Sequence, residues 1–155
     1  MLFGTSKADS MPGDNEVAWM GYGDALKSAK SENKKVIVDV YTNWCGWCKR
    51  MDKDVYGNGE IREYLKKHYV SVKLNAESSA KHDVAGSSKS ETEIARGFGI
   101  SSYPTTVFLN SQGELITSVA GYIKADMFTI VLEYIGEDHY KSVKWDDFLK
   151  SKQKG

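Results

Sequence analysis

The run Val36-Ile37-Val38-Asp39-Val40-Tyr41 is almost continuously apolar and β-branched, and shortly beyond it the chain reads Trp44-Cys45-Gly46-Trp47-Cys48. Such a run without polar alternation is the pattern of a strand buried on both faces, which requires a sheet covered by helices. Cys48, Met51 and Val55 then fall along one face of a helix. The two cysteines of the chain therefore sit where a buried strand ends and a helix begins, near unpaired backbone N–H groups and the positive end of the helix dipole. That location stabilises a thiolate at Cys45, lowering its pKa below the free value of about 8.5, and the thiolate is the nucleophile of disulfide exchange. Cys48, one turn on, is positioned to attack a mixed disulfide formed at Cys45.

Around this junction helices and strands alternate. Ala25, Leu26 and Ala29 predict a first helix over about 21–31. Gly57-Asn58-Gly59 interrupts the helix after the cysteines, Ile61, Tyr64 and Leu65 resume it over Glu60–His68, and Tyr69–Leu74 reads as a second central strand. Glu77–Ser90 is rich in Ser, Ala, Lys and Gly, lacks apolar periodicity, and reads as a surface loop. A short helix over Glu91–Phe98 is followed by strands Thr105–Leu109 and Leu115–Ala120 around the turn Asn110-Ser111-Gln112-Gly113. Met127, Ile130, Val131 and Tyr134 mark a helix over about 124–135. The order is that of an α/β protein, a central mixed sheet flanked by helices. Residues 1–15 read as a loose leader, 16–137 as one domain, and 138–155, with Tyr140, Trp145, Phe148 and Leu149 among charges, as a short helical appendage packed on it.

Composition narrows the class of function. With 21 basic and 21 acidic side chains, nothing draws the chain to nucleic acid or anionic lipid. No stretch approaches the roughly 20 apolar residues that span a bilayer, so membrane insertion is not expected. A lone C-x-x-C is either redox-active or half of a zinc site. Zinc takes four ligands, a second C-x-x-C is lacking, and His68, His82 and His139 show no ligand spacing to one another. The balance favours redox chemistry with no metal and no bound cofactor.

Val38-Asp39, then Trp44-Cys45-Gly46-Trp47-Cys48-Lys49, then Tyr103-Pro104-Thr105 ahead of a hairpin resemble, in that order, the thioredoxin family over about residues 17–136. Trp47, the Ala25-Leu26-Lys27-Ser28-Ala29-Lys30 helix and the stretch Met51-Asp52-Lys53-Asp54-Val55 are similar, more narrowly, to bacterial thioredoxin-like thiol oxidoreductases, many of them exported. The resemblance implies a thioredoxin-like fold and thiol:disulfide oxidoreductase activity in which Cys45 attacks, Cys48 resolves, and Asp39 takes or delivers the proton of the second cysteine. An acid in an apolar strand is costly to ionise, so its pKa rises toward neutrality; on the residues alone, an edge carboxylate in water is the other reading. Lys73 resembles the family lysine beside that acid, where a strand lysine by itself reads as solvated. For Pro104 the resemblance implies a cis peptide after Tyr103, with its loop against the thiols; the bare sequence gives an ordinary trans turn. Trp44 and Trp47 fit an apolar rim for protein substrates or core aromatics. Gly121 resembles a family glycine near the same surface, or ends a strand.

Thioredoxin itself carries proline where this chain has Trp47. The change restores a backbone N–H that can reach the Cys45 sulfur, and predicts a couple less reducing than thioredoxin's approximate −270 mV. The expected partners are protein disulfides and an electron-donating thiol reductase, the expected state a monomer, and the expected compartment the periplasm, with the cytoplasm as alternative. Reduction is the leading direction. Disulfide oxidation or isomerisation, and a non-enzymatic module that binds a metal or a client, are the alternatives.

Overall fold

The computed structural model describes residues 16–154, so the leader expected over 1–15 lies outside the described residues. Five strands form one sheet: β1 (Trp19–Met20), β2 (Lys35–Tyr41), β3 (Tyr69–Asn75), β6 (Thr105–Leu109) and β7 (Leu115–Ala120), in the order β1-β3-β2-β6-β7. β1 and β2 run parallel to β3, while β6 is antiparallel to both β2 and β7. β2 is thus central, and its alternation feeds two cores. Val36, Val38 and Val40 point into the layer of α1 (Tyr22–Glu32) and α4 (Glu91–Gly97), with Ala25, Ala29 and Ile94. Ile37 points into the opposite layer, built by α2 (Gly46–Asp54), α3 (Gly59–His68) and α5 (Ala125–Gly136), with Met51, Leu65 and Phe128. Each fully buried Val or Ile contributes about 1.5–3 kcal/mol. The all-apolar run is therefore what allows a helix layer on each face.

The break between α2 and α3 has a local cause. A Cβ on Gly57 would stand 2.5 Å from the Lys53 carbonyl oxygen, so the chain can turn this tightly only without a side chain. Asn58 then restarts the helix, its Oδ1 accepting the N–H groups of Glu60 and Ile61.

The reading of Glu77–Ser90 as a loop is corrected. β4 (Lys81–Val84) and β5 (Ser87–Ser90) pair antiparallel as a separate two-stranded sheet. Ala85 and Gly86 make the turn in left-handed conformations (φ 52° and 89°). Gly23 lets the hairpin lie against α1, since a Cβ there would meet the Asp83 carbonyl at 2.7 Å. His82 is fixed to Glu91 at 2.7 Å. The short β1 was also missed by the sequence reading. At the other end, a 3-10 turn (His139–Lys141) leads to α6 (Trp145–Lys154). Trp145 and Phe148 pack on Tyr134 of α5 with ring centroids 5.2 and 5.1 Å apart. Among the described residues no helix is long and apolar enough to cross a membrane.

Candidate active site

Strand β2 ends at Tyr41, and Cys45 is the N-cap of α2. Its Sγ accepts the backbone N–H of Cys48 at 3.1 Å, and the two sulfurs are joined in a disulfide. The amide that reaches the sulfur thus belongs to Cys48, where the sequence reading had looked to Trp47. Both cysteines are nearly buried, 5% and 3% exposed, whereas Trp44 and Trp47 stand out at 66% and 59%. Those values exclude core positions for the two tryptophans. Trp44 meets Tyr103 edge to face at 6.0 Å, and its Nε1–H donates to both carboxylate oxygens of Glu77 at 3.1 Å. Trp47 leans on Tyr122 at 5.3 Å.

The Tyr103–Pro104 peptide is cis. The Pro104 carbonyl accepts the N–H of Gly121 at 2.7 Å, and Gly121 has φ +95°, a backbone conformation that favours glycine. Tyr103, Pro104 and Gly121 are thereby held as one unit, to which Trp44 is joined through Tyr103.

In the strand that leads to the thiols, register does the positioning. Asp39 lies beside Lys73 on β3 and opposite Thr106 on β6, in the middle of the sheet and not at an edge. It is 2% exposed. Lys73 Nζ donates to Asp39 Oδ2 at 2.8 Å and also to Asp52 Oδ1 on α2. The ammonium further lies over the Tyr41 ring at 4.6 Å and the Trp19 ring at 5.4 Å, so it is not the freely solvated lysine that the bare sequence suggested. Burial pushes the Asp39 carboxyl up from 3.8 to about 6; Lys73 pulls it back in part, and the charge on Asp52 adds to the rise. Burial works to lower the Lys73 pKa, but the two carboxylates outweigh it and the net shift is upward. A carboxyl near 6 exchanges its proton close to neutral pH, which suits acid–base work.

Asp52 and Glu77 were not singled out from the sequence. Asp52 follows Cys48 by four residues on one helix, and that spacing puts it on the thiol face. Glu77 offers no comparable signal, being 33 positions from Trp44. Among the described residues, a metal could draw on few groups. Glu133, Glu137 and His139 bring ligand atoms within 4.8 Å of one another, but Lys152 already pairs with Glu133 and the Tyr64 hydroxyl donates to Glu137.

A disulfide between two cysteines three residues apart at a helix N-cap has exchange with another disulfide as its natural chemistry, and on this sheet it defines a thiol:disulfide oxidoreductase of thioredoxin-like fold. Comparison with known proteins agrees. The chain belongs to the thioredoxin-like domain family, whose match covers residues 22–136. It is 27% identical over 104 residues to the thiol:disulfide interchange protein DsbD of Actinobacillus pleuropneumoniae, a match covering 66% of this chain and 16% of that relative. The chain thus spans under a fifth of the curated relatives of this type. Among solved structures, a thioredoxin-fold protein from Helicobacter pylori superposes with TM-score 0.65 at 30% identity, covering 79% of this chain and 81% of that one. A thioredoxin from Thermus thermophilus, TM-score 0.63 at 20% identity over 78% and 87% of the two chains, shares the fold.

Proposed function

We propose that this domain reduces disulfides in protein substrates. The Cys45 thiolate attacks one substrate sulfur, forming a mixed disulfide and releasing the other substrate sulfur as a thiolate. Cys48, its proton taken by Asp39, then attacks Cys45 Sγ. The Cys45–Cys48 disulfide forms, the substrate leaves as a dithiol, and two electrons have passed to it. Lys73 holds Asp39 and moderates its affinity for the proton. Trp44, Trp47, Tyr103, Pro104 and Gly121 form the substrate surface. Because Gly121 occupies the Pro104 carbonyl, strand-like pairing with an extended substrate falls to the backbone of Tyr103.

The observation that carries this reading is the Cys48 N–H to Cys45 Sγ contact at the N-cap, set in the same fold as a buried carboxyl poised near 6. An electron-donating thiol reductase restores the dithiol. The similarity to DsbD, a thiol:disulfide interchange protein, supports thiol–disulfide exchange and a periplasmic setting. The redox unit is residues 16–137, with 138–155 an appendage, acting as a monomer without a bound cofactor.

The test is insulin reduction with a regenerating dithiol. Wild type should turn over, Cys45→Ser should be inactive, and Cys48→Ser should accumulate a mixed disulfide through Cys45 that is visible by mass. Turnover by Cys45→Ser would overturn the assignment. Stoichiometric zinc or copper on the reduced protein, lost with the cysteines, would favour a metal-binding module instead.

A further inference from the structure

Trp47 is a large apolar side chain left 59% exposed in the first turn of α2, yet its ring is not free. Trp47, Arg50 and Asp54 stand at i, i+3 and i+7 of that helix, a spacing that aligns them in one stripe. The Arg50 guanidinium lies 6.0 Å from the centre of the indole, at the outer limit of a cation–π contact, and its Nε donates to Asp54 Oδ2 at 3.0 Å. The Tyr122 hydroxyl donates to that same oxygen at 3.1 Å, and the Tyr122 ring meets the indole at 5.3 Å. Indole, guanidinium, carboxylate and phenol thus close a cycle of contacts. Tyr122 is its anchored member: it packs on the core layer that holds Met51 and Phe128 and follows Gly121, whose N–H is bound by the Pro104 carbonyl. Hydrogen bonds from Arg50 and Tyr122 hold the Asp54 carboxyl below its ordinary value, so the clamp stays charged at neutral pH. Exposed ion pairs of this kind add little to stability; what the contacts fix is where the indole stands.

We propose that Tyr122, with Asp54 and Arg50, is a positioning residue that sets substrate specificity. It holds the Trp47 indole as an apolar contact for the residues flanking a substrate disulfide, and so selects disulfides with apolar or aromatic neighbours over those with polar ones. This role rests on the domain acting on protein disulfides. Cys45 and Cys48 expose almost nothing themselves, so recognition falls to the rings beside them, which offer large contact areas. A mobile surface side chain has to be immobilised when a partner docks on it, which weakens binding several-fold for each such group. An indole clamped beforehand escapes that loss. Trp44 is held by a separate set of contacts, Glu77 and Tyr103, so the two indoles are fixed independently and can be tested apart.

Two synthetic peptide disulfides of equal length, one with leucine and phenylalanine beside its cysteines and the other with serine, are reduced with a regenerating dithiol, and the ratio of their kcat/KM values is measured. Wild type should favour the apolar peptide. Tyr122→Ala and Asp54→Ala should each lower that preference about threefold, the size expected when one side chain must be ordered on binding, and neither should lower it further once Trp47→Ala has removed the indole. No preference in wild type, or a preference unmoved in both variants, overturns the proposal, as does a fall of equal size with and without Trp47. The order of the indole is read without turnover from the heteronuclear NOE at Trp47 Nε1–H, a resonance assigned by its loss in Trp47→Ala. It should fall in Tyr122→Ala and in Asp54→Ala, and an NOE unchanged in both folded variants overturns the clamp. Wild type inactive on both peptides, with the NOE falling as expected, would remove the reductase reading and leave the clamp standing. A purely structural part for Tyr122 would lower the thermal midpoint while preference and NOE stayed in place, which also overturns the proposal.

Discussion

Replacing Asp39 by Asn tests the site and the fold together, because the carboxyl is buried at the centre of the sheet. Its rise from 3.8 to about 6 spans roughly two units, which at 1.36 kcal/mol each corresponds to about 3 kcal/mol. The folded protein holds this proton more tightly than the unfolded chain does. The associated stability is therefore fully present below about pH 4 and is lost as pH rises through about 6. Above about pH 7 the ionised carboxylate leaves the folded state about 3 kcal/mol worse off than it is in acid. Asparagine keeps the size and does not titrate. The unfolding free energy of wild type minus that of Asp39→Asn should fall by about 2.5 kcal/mol between about pH 4 and pH 7.5. Asp54, Glu93 and Asp138, whose carboxyls are held low by their hydrogen-bond partners, act in the opposite sense in acid but are present in both proteins and cancel. Urea unfolding of the oxidised forms at half-unit pH steps reads the difference directly. A difference flat to within about 1 kcal/mol, near the error of such extrapolations, would refute the claim that burial governs this group.

Other substitutions probe single contacts. Lys73→Met removes the cation on Asp39 Oδ2 and should drive the Asp39 midpoint and the kinetic inflection to higher pH; a downward shift would contradict the geometry. Glu77→Gln weakens the hold on the Trp44 indole, so KM for insulin should rise several-fold with kcat within about twofold, and the urea midpoint should barely move because the pair is exposed. Gly57→Ala forces a Cβ against the Lys53 carbonyl and should cost about 1–3 kcal/mol in urea unfolding. Gly23→Ala meets the Asp83 backbone and should speed amide exchange in β4 and β5 while leaving β2 protected.

Much of this molecule was readable before its structure. The β-branched run at Val36–Tyr41 is specific because few environments other than a sheet covered on both faces tolerate it, and the thiols gained their meaning from ending that run. Asp39 stood out as the one charge in the strand. The hairpin at Lys81–Ser90 stayed hidden because its inward positions are His82 and Val84, a histidine and a small apolar residue, which make no hydrophobic alternation; it is held by a glycine contact and an imidazole–carboxylate pair. Glu77 was equally silent. It acts on a residue brought near only by folding, Trp44, and lies at no spacing that a regular element repeats. Asp52 was the recoverable miss, four residues beyond Cys48 on the same helix.

β2 is hydrogen-bonded along both sides, by β3 and by β6. Openings that free such a strand lie close in energy to unraveling the whole sheet, far above the fraying of a peripheral hairpin or a chain end. The carboxyl buried in that strand is consequently anchored in the slowest-breathing part of the molecule, with the sulfurs only a short step downstream. Wear at the periphery leaves that geometry alone, so loss of activity to heat or to proteases should coincide with collapse of the sheet and not with damage to any one loop.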